Sequence, residues 1–156
     1  AQESRGLGDV YKRQDTYTAA SAGGGYQLFW RSTGTSIAFY ANGVVVAQSS
    51  FTSHSPGVWY HVAVTRDASN VVRIFIDGTQ YASVTYATAI SMATTGKVAV
   101  GIQALTLTND LAGYIDDLRV TNGFARYVTG TGGNAGQMVF NGTNTLALPT
   151  APFPLQ

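Results

Sequence analysis

The chain has 156 residues, which is enough for one domain with a hydrophobic core and short for two. Charged residues make up 11% of it, nine basic against eight acidic, and the net charge is +1. This balance excludes a basic face for nucleic acid, and the lack of cysteine excludes disulfides and thiolate metal sites. Since no apolar run is long enough to span a bilayer, we also expect no membrane insertion.

Residues 1–14 (AQESRGLGDVYKRQ) differ in pattern from the rest of the chain, because they concentrate charge and lack strand alternation. The run resembles a translated library adapter, and the alternative is an ordinary flexible terminus. We therefore predict a non-native or disordered segment at 1–14, a folded domain at 15–148 and a Pro-rich exit linker at 149–156. Because the sequence begins with Ala1, we expect a fragment of a longer protein.

Strand signals begin at Tyr26–Arg31 (YQLFWR), which is aromatic and alternating. The next two predicted strands, Thr35–Ala41 and Val44–Gln48, flank the pair Asn42-Gly43. Asn-Gly is the preferred pair for a type I′ turn, since both central residues of that turn have positive φ. The pattern therefore predicts a tight antiparallel hairpin.

A second hairpin is predicted around Asp77-Gly78, between Val71–Ile76 and Thr79–Tyr86. The preceding segment, Val58–Thr65 (VWYHVAVT), is apolar at both odd and even positions, which predicts a strand buried on both faces. We expect Trp59 on this strand to be a core anchor.

Two later segments, Lys97–Ile102 and Ala112–Val120, complete the predicted strands. No window of the chain shows a sustained helical period, and turn residues separate the strand signals throughout. The sequence therefore predicts an all-β fold, an antiparallel two-sheet jelly-roll sandwich.

Several motifs resemble those of laminin-G-like, concanavalin A-like domains. Trp59–Arg66 (WYHVAVTR) and Ile74–Thr79 (IFIDGT) are similar to the family's central strands, and Gly113–Thr121 (GYIDDLRVT) to its final strand. The family's usual opening strand is not recognisable before Tyr26, so we expect that strand to be missing, with an unpaired sheet edge. The closing segment 149–154 (PTAPFP) resembles versions of the domain in phage tail and virion-associated proteins.

Catalysis is not predicted. Glycosidases use two facing carboxylates, whereas the only glutamate is Glu3, and Asp116 and Asp117 are expected on opposite faces of one strand. The chain has two histidines, no cysteine and no nucleophilic-serine motif. His61 is therefore expected to be a buried, hydrogen-bonded residue of the core strand.

The resemblance implies calcium as a candidate cofactor at the rim of the sandwich. If successive strands alternate in direction, the loops at 49–57, 77–78 and 103–111 share one end, together with residues 32–34. That end gathers the candidate calcium ligands Asp77, Asn109 and Asp110 beside His54. The loops at 42–43, 66–70 and 87–96 share the other end. For Asp77, the alternative is a purely structural role in its turn.

Carbohydrate recognition would need an aromatic surface with polar groups around it. We expect Trp30 and Trp59 to fill the core, which leaves a smaller set of candidate ligand-binding residues on the surface: Tyr40, Tyr81, Tyr86 and His54.

The sequence thus predicts a non-catalytic carbohydrate- or surface-recognition module of a larger phage or bacterial surface protein. Its expected partners are a glycan or host cell-surface component and other domains of the same parent protein. Its expected location is a virion or the extracellular bacterial surface. The main alternative is a structural decoration or spacer domain without a ligand, and a glycosidase is a distant third.

Overall fold

The fold is all-β: every regular element in the described part of the chain is a strand, as the sequence predicts. The ten strands, in chain order, are β1 (Arg13–Asp15), β2 (Tyr26–Arg31), β3 (Ser36–Ala41), β4 (Val44–Gln48), β5 (Val62–Arg66), β6 (Val71–Ile76), β7 (Thr79–Thr85), β8 (Ala99–Val100), β9 (Tyr127–Thr129) and β10 (Met138–Phe140). The computed structural model describes residues 13–15, 25–31, 36–55, 57–90, 99–102, 111, 113–129 and 138–140.

The strands form two main antiparallel sheets. The first has five strands in the order β4-β3-β2-β1-β8, and the second has three in the order β5-β6-β7. Strands β9 and β10 make a separate parallel pair. Because β4 lies against β6 and β7, the two main sheets stack face to face, as predicted for a sandwich.

Alternation along the strands fills the space between the sheets. On β3, Ile37, Phe39 and Ala41 point inward, and on β6, Val72, Ile74 and Ile76 do the same. Aromatic and aliphatic side chains from β2, β5 and β7 pack around this cluster. Removing such apolar surface from water is the main stabilising term of a fold of this kind.

Both predicted hairpins are present. Asn42 and Gly43 have φ of 51° and 82°, and Asp77 and Gly78 have φ of 48° and 76°. Positive φ at both central residues is the signature of the type I′ turn, whose twist matches that of the flanking strands. The register on each side follows from these turns, with Ala41 opposite Val44 and Ile76 opposite Thr79.

Strand β1 fills the place where the sequence pattern suggested a missing strand. Gln14 pairs with Leu28 of β2 on one side and with Val100 of β8 on the other. The edge of β2 is therefore paired. Residues 13 and 14, which the sequence assigned to the 1–14 segment, belong to this strand, whereas residues 1–12 and the 149–156 linker lie outside the described residues.

Two strand predictions were wrong in part. Strand β5 starts at Val62 instead of Val58, so Trp59 precedes it and is 40% exposed; it is not a core anchor. The segment 113–120 is irregular, because Asp117 has a φ of 49°, which no extended strand contains. Of the predicted Lys97–Ile102 strand, Ala99–Val100 is a strand.

The outer face of the three-stranded sheet carries a partly buried ion pair. The Arg73 guanidinium, on β6, is bonded to the Asp67 carboxylate at 2.5 Å and to Thr129 Oγ1 at 3.0 Å. The other carboxylate oxygen of Asp67 accepts the backbone N–H groups of Ser69 and Val71. Since Arg73 is only 8% exposed, its charge depends on this partner.

Truncation tests the position of β1. Deleting residues 1–12 should leave the thermal unfolding midpoint unchanged, whereas deleting residues 1–15 removes the strand between β2 and β8 and should lower it by more than about 4 °C, about 1 kcal/mol for a domain of this size. Differential scanning calorimetry of both forms measures this. Equal midpoints for the two truncations would show that β1 adds nothing to stability.

Replacing Asp67 tests the ion pair. Asp67→Asn keeps the side-chain shape but removes the counter-charge of the buried Arg73. The free energy of unfolding should fall by less than the roughly 3–5 kcal/mol that breaking a fully buried pair costs, because Asp67 itself is partly exposed. Urea unfolding of this variant and of Asp116→Asn, whose carboxylate accepts the backbone N–H of the neighbouring Asp117, provides the comparison. Similar losses in the two variants would contradict the assignment.

The same pair predicts an acid effect. Burial raises the pKa of Asp67, but the hydrogen bonds from Arg73, Val71 and Ser69 outweigh it, and the pKa lies below its usual value. A depressed carboxyl pKa stabilises the fold above the unfolded-state pKa, and this contribution is lost as the pH falls through the folded pKa. Below about pH 4, wild type and Asp67→Asn should therefore converge in stability.

Candidate functional site

Five aromatic rings form a continuous row from one main sheet to the other. Successive ring centroids are 4.2 Å apart for His54 and Trp30, 6.5 Å for Trp30 and Tyr60, 5.7 Å for Tyr60 and Phe51, and 5.1 Å for Phe51 and Tyr81. Trp30 comes from β2 and Tyr81 from β7. The edge and tilted geometries are those that aromatic pairs prefer, so this aromatic row ties the two sheets together.

The aromatic row fixes the 49–60 loop, which is described except at Pro56. The Tyr60 hydroxyl accepts the backbone N–H of Ser55 at 2.9 Å, which closes the loop on itself. The backbone N–H of Ser50 donates to the Tyr81 carbonyl at 3.1 Å, which fastens the loop to β7. Gly57 takes a φ of 77°, a conformation that suits glycine, and the chain reverses there. The loop is therefore held at several points.

Trp59 stands at the surface of this loop. Its neighbour Tyr60 is 7% exposed and belongs to the core, whereas Trp59 is 40% exposed and Val58 is 43% exposed. An indole that keeps so much surface in water beside a rigid loop is a candidate contact for a ligand. Sequence reasoning missed it because 58–65 has apolar residues at both odd and even positions, which hid which of the two sets faces inward. The inward Tyr60 fixes Trp59 as outward.

The four candidate ligand-binding residues from the sequence are not brought together. His54 and Tyr81 lie in the aromatic row, each half-buried. Tyr86 lies at the other end of the sandwich, where its hydroxyl accepts a bond from Asn42 Nδ2 at 3.0 Å. Tyr40 is half-buried on the outer face of β3, with its ring 5.1 Å from that of Phe29.

The loops around Tyr86 share one end, as alternating strand directions predict. Asn42 Nδ2 also donates to the Ala89 carbonyl at 2.7 Å, so the β3–β4 turn reaches the segment that follows β7. Arg66 Nη2 donates to Asn70 Oδ1 at 2.6 Å and to the Tyr86 and Thr88 carbonyls at 3.0 and 3.2 Å. These contacts fasten the 42–43, 66–70 and 86–89 segments to one another.

Asp77, a candidate calcium ligand, is bonded to the backbone of His61. Its Oδ1 accepts the backbone N–H of His61 at 2.8 Å, and its own N–H donates to the His61 carbonyl at 2.8 Å. Calcium takes about six to eight oxygen ligands. Within the described ranges no three acidic or histidine side chains are grouped to hold a metal. Asn109 and Asp110 lie outside those ranges, so calcium stays a prediction.

His61 is a hydrogen-bonded, half-buried residue, as predicted for a structural role. Its Nε2 lies 3.2 Å from the hydroxyl of Tyr127, which packs on Phe75. Burial lowers the pKa of His61, and the nearby Asp77 carboxylate opposes this effect without cancelling it. The lowered pKa favours the neutral imidazole, which links the residue that precedes β5 to β9.

Asp116 and Asp117, the adjacent carboxylates, are not on a strand as the sequence suggested. Their segment is irregular, and Asp116 Oδ1 accepts the backbone N–H of Asp117 at 3.0 Å. An acceptor in a local backbone bond of this kind shapes a turn.

Two antiparallel sheets packed face to face, with an aromatic loop fixed at one end, define a β-sandwich. Residues 8–126 match the laminin-G-like family model described as the concanavalin A-like lectin/glucanases superfamily, and the chain belongs to this superfamily. No curated protein and no solved structure shows significant similarity to this chain. In the described residues there is no helix long and apolar enough to cross a membrane.

Acid should destabilise the domain through His61. Because the folded-state pKa is lowered, the unfolded chain binds this proton more readily below its own pKa of about 6.5, and stability falls as the pH drops from there toward the folded pKa. Urea unfolding at pH 7.5 and 5.5 should show a larger loss for wild type than for His61→Gln, which does not titrate. Parallel losses would contradict the inferred shift.

Calorimetric titration tests the predicted calcium site. Wild type should bind calcium in the millimolar range or tighter, and Asp110→Ala should bind it less well, because a carboxylate ligand is lost. If no binding heat is seen at millimolar calcium, the predicted calcium site does not exist. If Asp110→Ala binds calcium as well as wild type does, Asp110 is not a ligand and the site lies elsewhere.

Proposed function

We propose that the domain is a non-catalytic recognition module that binds carbohydrate, and that Trp59 with the 49–60 loop forms the contact surface. The observation that carries this proposal is the 40% exposed indole on a loop fixed by the aromatic row. Membership of the lectin/glucanases superfamily supports a carbohydrate-binding or structural module. Recognition residues commonly lie on loops that a rigid scaffold positions.

The chemistry of the loop suits a sugar. The C–H face of a pyranose ring stacks on an indole, which buries apolar surface on both partners. Thr52, Ser53 and Ser55 are exposed in the same loop and carry groups that can both donate and accept hydrogen bonds to sugar hydroxyls. Because hydrogen bonds and ring contacts hold the loop at several points, binding should cost less conformational entropy than it would for an unattached loop.

We further propose that the module belongs to a larger phage or bacterial surface protein, on a virion or outside the cell, and recognises a host surface glycan. The low charge, the Gly, Ser and Thr content and the 149–154 segment support this setting. Calcium at the rim would be an addition to this function and is not required by the Trp59 surface.

A structural spacer is the second candidate. It is favoured by the way His54, Tyr81 and Tyr86 are used, since all three pack against or bond to the domain itself. Under this alternative the exposed indole would contact a neighbouring domain of the parent protein instead of a glycan.

A glycan array with the domain displayed at high valency separates these two functions. Wild type should bind at least one glycan, and Trp59→Ala should lose more than about tenfold in apparent affinity, since an aromatic anchor is typically worth 1.4 kcal/mol or more. Tyr114→Ala is the matched control, because Tyr114 is a 77% exposed aromatic on a different segment.

Both variants must remain folded for this comparison. Trp59→Ala should cost less than the roughly 3–5 kcal/mol of a fully buried tryptophan, which thermal unfolding measures. If wild type binds no glycan at high valency, the spacer function stands. If Tyr114→Ala loses binding and Trp59→Ala does not, the contact surface lies on the 113–121 segment.

A further inference from the structure

We infer that Asp77 is a positioning residue for the Trp59 surface, because its carboxylate holds the backbone of His61 and thereby fixes the direction in which the indole projects; this inference rests on the proposed function. Asp77 belongs to the turn between β6 and β7, and His61 lies between Tyr60 and the first residue of β5. The two residues therefore connect a turn of the three-stranded sheet to the end of the 49–60 loop.

The bonds between Asp77 and His61 continue the pairing of β5 with β6 by one residue. Val62 lies opposite Ile76 in the register of these strands, so the next pair along is His61 with Asp77. In a hydrogen-bonded antiparallel pair, the N–H of each residue donates to the carbonyl of the other. The Asp77 N–H donates to the His61 carbonyl at 2.8 Å, but the His61 N–H donates to Asp77 Oδ1, also at 2.8 Å.

The turn explains why a side chain is the acceptor here. Asp77 is the first central residue of a type I′ turn, with a φ of 48°, so its backbone has already left the strand conformation. A carboxylate has two acceptor oxygens, and a hydrogen bond to a charged acceptor is stronger than one between neutral groups. The Asp77 side chain therefore substitutes for a strand carbonyl at the point where the turn begins.

The bonded backbone of His61 is two residues from Trp59. Tyr60, between them, packs in the core and its hydroxyl accepts the backbone N–H of Ser55. The His61 ring lies on the other side of the chain, within 3.2 Å of the Tyr127 hydroxyl. With the Tyr60 ring and the His61 backbone both held, the chain that carries Trp59 has little freedom. The indole should therefore need less ordering when a ligand binds.

Two substitutions separate the role of the carboxylate from that of the turn. Asp77→Gly keeps a turn sequence that favours positive φ, Gly-Gly, but removes the acceptor. Asp77→Asn keeps an Asn-Gly turn and an acceptor oxygen, and removes the charge. The matched control is Asn42→Gly, at the same position of the other hairpin, where φ is 51° and the amide bonds to Tyr86 and Ala89 at the other end of the sandwich.

The functional readout is affinity for a glycan that wild type binds on the array, measured with a chelator so that calcium takes no part. Asp77→Gly should weaken binding about fivefold, because a loosened Trp59 must be ordered by the ligand. Asp77→Asn should bind within about twofold of wild type, since the acceptor is kept. Asn42→Gly should leave affinity unchanged even though it lowers the unfolding midpoint.

Nuclear magnetic resonance gives a second readout that needs no ligand. The chain has two tryptophans, so the indole signal of Trp30 serves as an internal reference for that of Trp59. In Asp77→Gly the Trp59 signal should shift, and the His61 amide should exchange faster with solvent because its acceptor is lost. In Asp77→Asn both should stay close to wild type, and the Trp59 signal should also stay in place in Asn42→Gly.

The outcomes separate positioning from recognition. If Asp77→Gly keeps wild-type affinity or an unshifted Trp59 signal, Asp77 does not position the indole. The inference is also overturned if Asp77→Asn or Asn42→Gly loses as much affinity as Asp77→Gly, since the cause would then be the charge or a general loosening of the fold. If wild type binds no glycan, carbohydrate recognition is overturned, and the Trp59 and His61 signals alone then decide the role of Asp77.

Discussion

Strand β6 is buried on both of its faces, and much of the sandwich is arranged around that fact. Val72, Ile74 and Ile76 face the space between the main sheets, while Arg73 and Phe75 face the opposite way and are also buried. A strand of this kind needs apolar cover on each side. The five-stranded sheet covers the first face, and Tyr127 packs on Phe75 on the second.

One polar side chain on that second face imposes further structure. A buried guanidinium is tolerated only where its donors are satisfied and its charge is paired. Arg73 therefore requires Asp67 from the β5–β6 turn and Thr129 from β9, and Asp67 in turn organises its own turn through two backbone N–H groups. The register of β9 over the sheet is coupled in this way to the shape of a distant turn.

Local chemistry explains which parts of the fold were predictable. Asn42-Gly43 and Asp77-Gly78 define turns by their own φ preferences, so both hairpins follow from a few residues. Strand β1 was missed because Arg13–Asp15 has no apolar alternation and exists only through its two neighbours. The strand predicted at 112–120 was wrong for 113–120, because the apolar pattern there resembles that of a strand whereas the positive φ of Asp117 bends the chain.

The candidate site was harder to predict, because exposure depends on tertiary partners. From sequence alone, Tyr81 and Tyr86 cannot be told from freely exposed tyrosines. In the structure Phe51 packs against Tyr81, and Asn42 donates a hydrogen bond to Tyr86. For Trp59 the error was the opposite: it was expected in the core because it lies in an apolar run, and it is 40% exposed. Family membership, by contrast, was evident from the WYHVAVTR and IFIDGT motifs, which the family match includes.

The network around Arg66 has a consequence for how such a domain can diversify. One guanidinium and one amide, from Arg66 and Asn42, fasten a turn of the first sheet and two segments of the second. Substitutions at that pole would release several backbone carbonyls at once. The 49–60 pole is fixed from beneath by ring packing, and its outermost side chains contribute little to that packing. The two poles therefore differ in how many contacts one substitution breaks, and the outermost positions of the 49–60 loop are those where a side chain can change while the architecture is kept.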